Sequence, residues 1–597
     1  MFLNFMLTLI IGLGYFKFVS NHPLEILFTI FAYLSNSLTI YILIFVVLIV
    51  FYLLRLPKII FVLLFFIINL LVFIDVSIYK IFRFHINGLV LNTVFTKGGW
   101  ESLEFSYSTK LFLAGVIIFL FLLEFFMYNY LAKPISTSVY SIKKKYVFLV
   151  LILVVLIIGI DKGFYACADL KNIPYITRHL KLFPLYQPLT IKKFAQKYLH
   201  LKIDKPVMLV LDKKYSGLNY PKKKLEFYRT HKPLPNIIWL FSDSYRYDML
   251  NKDITPNIHK FSKNSLVFEN HYSGGNCTRF GIFSVFYGLH GYYWNTILAE
   301  RQSPVFIDSL IELGYDFQIL SASKLTFPEF DKTCFVRIPA AKINDEPVGK
   351  TKNEKDFAIT ESFIKYLNHP RSPFFAFLFF DSPHGSYDFP ANFEKFKPTV
   401  PAFNYLLLNK ENVLPVFNRY KNANYYVDSL INKIIVQLKK QNLLKNTIIL
   451  ITADHGEAFF EKGFYGHNHG FCEEQVKVPL VLYIPGLKPQ KYKKLTSHQD
   501  IVPALLSVLG CKNLSSDYCN GISLLNIPER EFVVSATWDE MAVIDKRFTI
   551  VLPIETYNIS GIKIYDTGYK EILDKTDTEY SIRRLIKFQK EITNFMK

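Results

Sequence analysis

The feature that most constrains this chain is a succession of long apolar runs near its start. Five of them, at about 1–20, 27–54, 57–79, 110–132 and 145–162, reach or approach the roughly 20 residues that cross a bilayer as a helix. A multi-span α-helical membrane domain of about five helices is therefore expected over residues 1–162. The run from Tyr146 to Ile160 is nearly free of polar groups. The first run contains Asn4 and Lys17. It reads as a span rather than a removable leader, because no small-residue cleavage site follows and another run comes at once. Asp75 and Glu124 lie near or within runs. Carboxylates at such places face protein or water, and packing or interfacial roles are expected for both.

Charge orients the spans. Arg55 and Lys58 follow the second run, and Lys133, Lys143, Lys144 and Lys145 follow the fourth. With those loops cytoplasmic, the N-terminus is inside and everything after the fifth span is outside. In a bacterium with two membranes that space is the periplasm. Lys80, Arg83 and Lys97 in the intervening loop make the asymmetry moderate.

The net charge of +20 comes from 69 Lys+Arg against 49 Asp+Glu. Aromatics at 17% exclude a disordered chain, and only 6 cysteines in 597 residues exclude a disulfide-dense scaffold. Residues 163–232 interleave basic and aromatic groups, as in YITRHLKLFPLYQPLTIKKF and YPKKKLEFYRTHKP. Beside a membrane this pattern favours anionic phospholipid head groups, although a solvated linker has the same look. No nucleic-acid reading motif accompanies the charge, so no nucleic-acid partner is expected.

From about 233 to 597 the pattern becomes strands alternating with helices. NIIWLF, YDFQILS, FFAFLFFD, NTIILITAD and VPLVLYIPG read as strands; SPVFIDSLIELG and NRYKNANYYVDSLINKIIVQLKKQNLL read as helices. That alternation predicts an α/β domain with a central, mostly parallel sheet, whose ligands gather beyond the carboxyl ends of the strands. Asp243, Asp381 with His384, and Asp454 with His455 all follow strands, and His467 and His469 come on a loop shortly after.

Carboxylate oxygens with imidazole suit Zn²⁺, Mn²⁺ or Mg²⁺. Asp243, Asp454 and His455 would supply three ligands. A cation there activates a hydroxyl and neutralises charge on a transferred phosphoryl or sulfuryl group. Thr278 follows the Gly274-Gly275-Asn276 turn and opens a helix, with Arg279 beside it for an anionic substrate. Its hydroxyl is read either as nucleophile and further metal ligand or as a helix cap. Asp248 and Asp500 read as caps or loop anchors, and His498 as structural. Cys511 and Cys519, eight apart, leave a disulfide open; Cys167, Cys334 and Cys472 cannot be paired from sequence.

These motifs together resemble the alkaline phosphatase and sulfatase superfamily. The resemblance rests on IIWLFSDSYRYDML, TPNIHKFSKNSLVFENHYSGGNCTRFGIFSVFYG, TADHGE, VPLVLYIPG and SHQDIVPALLSVLG. With the spans and YYWNTILAERQSPVFIDSLIELGYDFQIL, the chain is similar to the YejM (PbgA) family of Gram-negative inner-membrane proteins. Lipoteichoic acid synthases and lipid A phosphoethanolamine transferases are related anchored members. The resemblance implies Asp243 as first metal carboxylate, Asp454 and His455 as the later metal pair, and Thr278 as nucleophile. It implies His384 as a substrate-holding or leaving-group histidine, and His467 and His469 as pocket histidines at an acid/base or second-metal position. It further implies a phosphoester hydrolase or transferase on an envelope lipid, with lipid A or lipopolysaccharide and other inner-membrane proteins as partners.

The alternative within the same family is a regulator that binds lipopolysaccharide or cardiolipin through a non-catalytic domain. Cys277-Thr278-Arg279-Phe280 departs from the C-x-P-x-R pattern of sulfatases, so conversion of Cys277 to formylglycine is not expected.

Overall fold

The structure, a computed structural model, describes all residues except 20–21, 97–98, 100–106, 133–143, 172, 178–181, 201–216, 229–232, 555–561, 573–575 and 597. Lys97, Lys133, Lys143 and the middle of the basic segment therefore lie outside the described residues.

Among the described residues, four helices are long and apolar enough to cross a membrane: Pro23–Leu53, Lys58–Phe82, Tyr107–Tyr130 and Lys145–Leu170. The first apolar run is shorter. It forms an α-helix over Phe2–Gly12 that tightens into a 3₁₀ turn over Leu13–Phe18. Asn4, Thr8 and Tyr15 face inward, and Lys17 is exposed. Thr8 Oγ1 donates to Asn69 Oδ1 at 2.7 Å, and Tyr15 O–H donates to Asp75 Oδ2 at 2.6 Å. Asn69 Nδ2 in turn donates to Glu124 Oε1 at 2.7 Å, so both carboxylates singled out in the spans are buried against polar partners, as lipid-excluded carboxylates require.

The basic segment is divided between two bodies. Leu182, Phe183 and Tyr186 pack with Tyr15, Phe28 and Tyr33 of the membrane helices, and the helix of the last span runs to Leu170, past the expected limit at 162. Residues 217–228 belong instead to the soluble domain. Asn219 N–H donates to Phe595 O and Tyr228 N–H to Gly510 O, at 2.8 and 2.9 Å. Tyr220 O–H accepts from Val305 N–H at 3.1 Å.

The soluble domain is built on an eight-stranded sheet of order β10-β2-β9-β6-β1-β5-β3-β4. Its strands are β1 (Asn236–Ser242), β2 (Leu266–Tyr272), β3 (Asp316–Ser321), β4 (Ile343–Asn344), β5 (Phe374–Phe380), β6 (Thr447–Thr452), β9 (Val481–Tyr483) and β10 (Gln490–Ser497). All pairings are parallel except those of β9, which runs antiparallel to β2 and β6. β1 is buried at every position, the mark of a central parallel strand covered on both faces. Alternate side chains feed two cores. Ile237, Trp239 and Phe241 join one with Phe286 and Phe306. Ile238 and Leu240 join the other, under the helices Lys352–Tyr366 and Leu414–Lys440. A hairpin of β7 (Ala458–Phe459) and β8 (Tyr465–Gly466) and an antiparallel sheet of β11 (Val533–Ala536), β12 (Glu540–Ile544), β13 (Thr549–Pro553) and β14 (Lys563–Tyr565) complete the domain.

Candidate active site

β5, β1 and β6 are neighbours and parallel. The residues following them therefore emerge side by side: Asp381, Asp243 and Asp454. The Thr278–Tyr287 helix is pressed onto the last of these turns. A Cβ on Gly281 would stand 2.1 Å from Asp454 O, so only glycine allows that approach. The loop before the helix is tied down by Asn276 N–H donating to Ala536 O at 3.1 Å and by Ser273 Oγ donating to Asp454 O.

Asp243, Asp454 and His455 are buried and each offers a ligand atom within 4.8 Å of the others. His455 Nε2 stands 3.4 Å from Asp454 Oδ2 and 3.9 Å from Asp243 Oδ1. Its Nδ1 meets the Gly456 carbonyl at 2.8 Å. That contact requires the proton on Nδ1 and leaves Nε2 as a free lone pair. Asp454 Oδ1 accepts backbone N–H from Ser244 and His455 at 3.0 and 2.8 Å. Asp454 Oδ2 is buried with no hydrogen-bond partner, a condition that native proteins rarely tolerate. Burial, then the Asp454 and Asp381 carboxylates, push Asp243 well above the usual carboxylate range. A divalent cation among these donors fits the orphaned oxygen, the lone pair and the crowded negative charge together.

Thr278 Oγ1 lies 3.2 Å from His455 Nε2 and is partly exposed, while Cys277 beside it is buried. Burial pushes the Cys277 thiol up to about 12. The His455 and His467 rings are 4.2 Å apart by centroid, and those of His384 and His467 5.7 Å apart. His467 Nδ1 faces Glu457 Oε2 at 3.2 Å.

Lys352, which no sequence pattern singled out, completes the group. It opens a helix whose capping box uses Thr351 and Glu354. Its Nζ is 3.1 Å from Asp381 Oδ2 and 2.8 Å from His384 Nδ1. Burial and the Lys352 charge hold His384 well below the ordinary histidine range. An ammonium can only donate, so His384 Nδ1 accepts and its proton sits on Nε2. The one signal available in sequence was the capping box, and that marks only a helix start.

The remaining candidates are placed as follows. Arg279 is held by protein partners: its Nη1 pairs with Glu329 Oε2 at 2.5 Å and its Nη2 donates to Asn92 Oδ1 at 2.8 Å. His469 Nδ1 meets the His467 carbonyl at 2.6 Å and its Nε2 meets Gln475 Nε2 at 3.1 Å. Cys511 and Cys519 are free thiols. Asp248 chelates Arg246 at 2.9 and 2.8 Å, Asp500 caps its own helix through Ser497 N–H, and His498 is fully buried.

Residues 235–511 match the sulfatase family, and residues 1–227 match DUF3413, a domain of unknown function. The sulfatase match falls on the α/β domain, and the whole chain is laid out as apolar helices followed by that domain. The chain resembles the inner membrane protein YejM of Salmonella typhimurium, at 23% identity over 414 residues, 67% of this chain and 64% of the relative. It also resembles an uncharacterized protein of Haemophilus influenzae, at 28% over 379 residues, 63% and 58% of the two chains. The match thus spans less than two thirds of either relative's length. Phosphoethanolamine transferase EptA of Helicobacter pylori is 30% identical over 145 residues, 23% of this chain and 27% of that one.

Proposed function

We propose that this protein is a metal-dependent phosphoester hydrolase or transferase, anchored in the bacterial inner membrane by five spans. Its α/β domain lies on the periplasmic side and works on a phosphoester of an envelope lipid. The reading is carried by one juxtaposition: the Thr278 hydroxyl 3.2 Å from His455 Nε2, at the edge of the Asp243, Asp454 and His455 cluster. The sulfatase-family match and the similarity to a phosphoethanolamine transferase support phosphoester chemistry.

Asp243, Asp454 and His455 would hold a divalent cation, which would supply Lewis-acid charge to the reaction. Thr278 Oγ1 forms the new bond to phosphorus, and the bond from phosphorus to the ester oxygen breaks with its electron pair on that oxygen. The threonine proton passes to His467, which Glu457 orients through Nδ1. The departing oxygen takes the proton of His384 Nε2, and Lys352 returns one to Nδ1. Water or an acceptor hydroxyl then displaces Thr278 along the same line: its proton passes to His384 Nε2 as Nδ1 returns one to Lys352, and His467 gives its proton back to the threonine oxygen as the bond from that oxygen to phosphorus breaks. The test is turnover of bis(p-nitrophenyl) phosphate by the full-length protein in detergent, with its metal content measured. Thr278→Ala is expected to keep the metal and lose about 1,000-fold or more in rate, the scale of a removed nucleophile. Full activity in that variant sinks the assignment. A native protein with no metal and no turnover supports the lipid-binding regulator instead.

A further inference from the structure

The membrane domain reaches into the neighbourhood of Thr278 at one place. The chain leaves the Lys58–Phe82 span, turns, and forms a short helix over Gly88–Phe95. Asp75 fixes that turn, accepting from Ile86 N–H at 2.7 Å and facing His85 Nδ1 at 2.6 Å. Asn87 caps the helix, its Oδ1 accepting from Leu89 and Val90 N–H at 3.0 and 3.2 Å. Gly88 lies against Trp538 of the soluble domain, where a Cβ would come within 3.3 Å of the indole nitrogen. One turn later stands Asn92.

Asn92 closes a three-membered ring with the residue that follows the nucleophile. Arg279 Nη2 donates to Asn92 Oδ1 at 2.8 Å, Asn92 Nδ2 donates to Glu329 Oε1 at 3.1 Å, and Glu329 Oε2 pairs with Arg279 Nη1 at 2.5 Å. The guanidinium is 3% exposed and sits 4.8 and 5.1 Å from the Trp294 and Trp538 rings. A buried ion pair keeps one geometry only when its remaining hydrogen-bonding groups are satisfied, and Asn92 satisfies one on each partner. Arg279 and Thr278 share the first turn of one helix, so whatever locates the guanidinium locates the hydroxyl.

We propose that Asn92 is a positioning residue for Thr278, so that the membrane segment completes a site the soluble domain leaves unfinished. The proposal rests on Thr278 being the nucleophile. Asn92 touches no reacting atom and acts through Arg279. A nucleophile displaced by about 1 Å loses roughly 100-fold in rate, and the loss falls on kcat because the cation ligands and the Lys352–His384 pair stay in place.

The experiment is steady-state turnover of bis(p-nitrophenyl) phosphate by the full-length protein in detergent, with metal content and melting temperature recorded. Asn92→Ala is expected to lower kcat roughly 10- to 100-fold, with KM changed less than about threefold and metal content unchanged. The double variant Asn92→Asp with Glu329→Gln exchanges amide and carboxylate around the same guanidinium, and is expected to recover most of the rate. Asn92→Ala with native kcat overturns the proposal. If Asn92→Ala fails to fold, the exchange variant decides: folded and active supports the role, folded and inactive overturns it. Thr278→Ala runs alongside. Native turnover in that variant, or none in the native protein, overturns the nucleophile reading and the positioning role with it. An inactive Thr278→Ala beside a fully active Asn92→Ala removes the positioning role alone.

Discussion

At the scale of single residues, burial separates two neighbours that sequence leaves side by side. Cys277 caps the helix with its thiol pushed up to about 12 by burial, whereas Thr278 is partly exposed toward His455. A thiol raised that far stays protonated and unreactive through neutral pH. The sign follows directly: the neutral form is favoured, so no ionisation of Cys277 occurs between pH 7 and 9. A thiolate nucleophile would instead give a rate that climbs through that range. Cys277→Ser is therefore expected to retain turnover within about threefold, because an isosteric change at a buried, non-reacting position perturbs little. The pH–rate profile is expected to keep the same basic limb in the variant. A rate lost with Cys277→Ser, or a basic limb abolished by it, would move the nucleophile one residue back. The placement of Asp454 and Asp243 at strand ends was legible in the sequence because TAD and SDS follow apolar runs. Lys352 was not, since it reaches Asp381 and His384 from a helix start 29 residues ahead of Asp381, and nothing local marks a lysine that will be buried.

At the scale of elements, Thr278 meets the Asp454–His455 turn through a contact between one helix and one strand end. The strands were readable as apolar runs, and β1, β3, β5 and β6 form where those runs lie. The antiparallel course of β9 was not readable, because VPLVLYIPG carries no record of its partners' direction. Nor was the packing of the Thr278–Tyr287 helix on the Asp454 turn, which depends on the missing side chain of Gly281. Replacing it is the sharpest test of that contact. In Gly281→Ala the new methyl meets a backbone carbonyl that cannot rotate away, so helix and turn must separate. The cost is about 1–3 kcal/mol in stability, read as a lowered melting temperature. Bound metal and turnover are expected to fall together, since Asp454 and His455 shift with the turn. Native melting and metal content in Gly281→Ala would show that the two elements are less closely joined than their geometry requires.

At the scale of the whole molecule, the contacts fix which ends of the spans share a side. Arg83 at the end of Lys58–Phe82 donates to Gly463 O at 3.4 Å, and Lys80 to Leu406 O at 2.6 Å, so that end faces the soluble domain. The turn between Leu53 and Lys58 is then on the opposite side, with Arg55 and Lys58. The Phe2–Phe18 stretch runs in the same direction as Lys58–Phe82, for Asn69 meets Asn4 and Asp75 meets Tyr15. Its 11 α-helical residues rise 1.5 Å each and its 6 residues of 3₁₀ turn about 2.0 Å each. The sum, roughly 28 Å, nearly equals the ~30 Å of a hydrocarbon core. A crossing by this stretch, as proposed, would bring Met1 to the side of Arg55 and would give the odd number of crossings that the charge pattern calls for. A membrane-impermeant maleimide checks this in spheroplasts of a Cys167→Ser, Cys511→Ser background, which removes the thiols that are not buried. Val348→Cys, at a position 90% exposed in the soluble domain, is expected to label, and Leu54→Cys, 65% exposed in the short turn, only after the membrane is permeabilised. Labelling of Leu54→Cys in intact spheroplasts, with Val348→Cys protected, would put the soluble domain in the cytoplasm and remove the periplasmic lipid from the proposed chemistry.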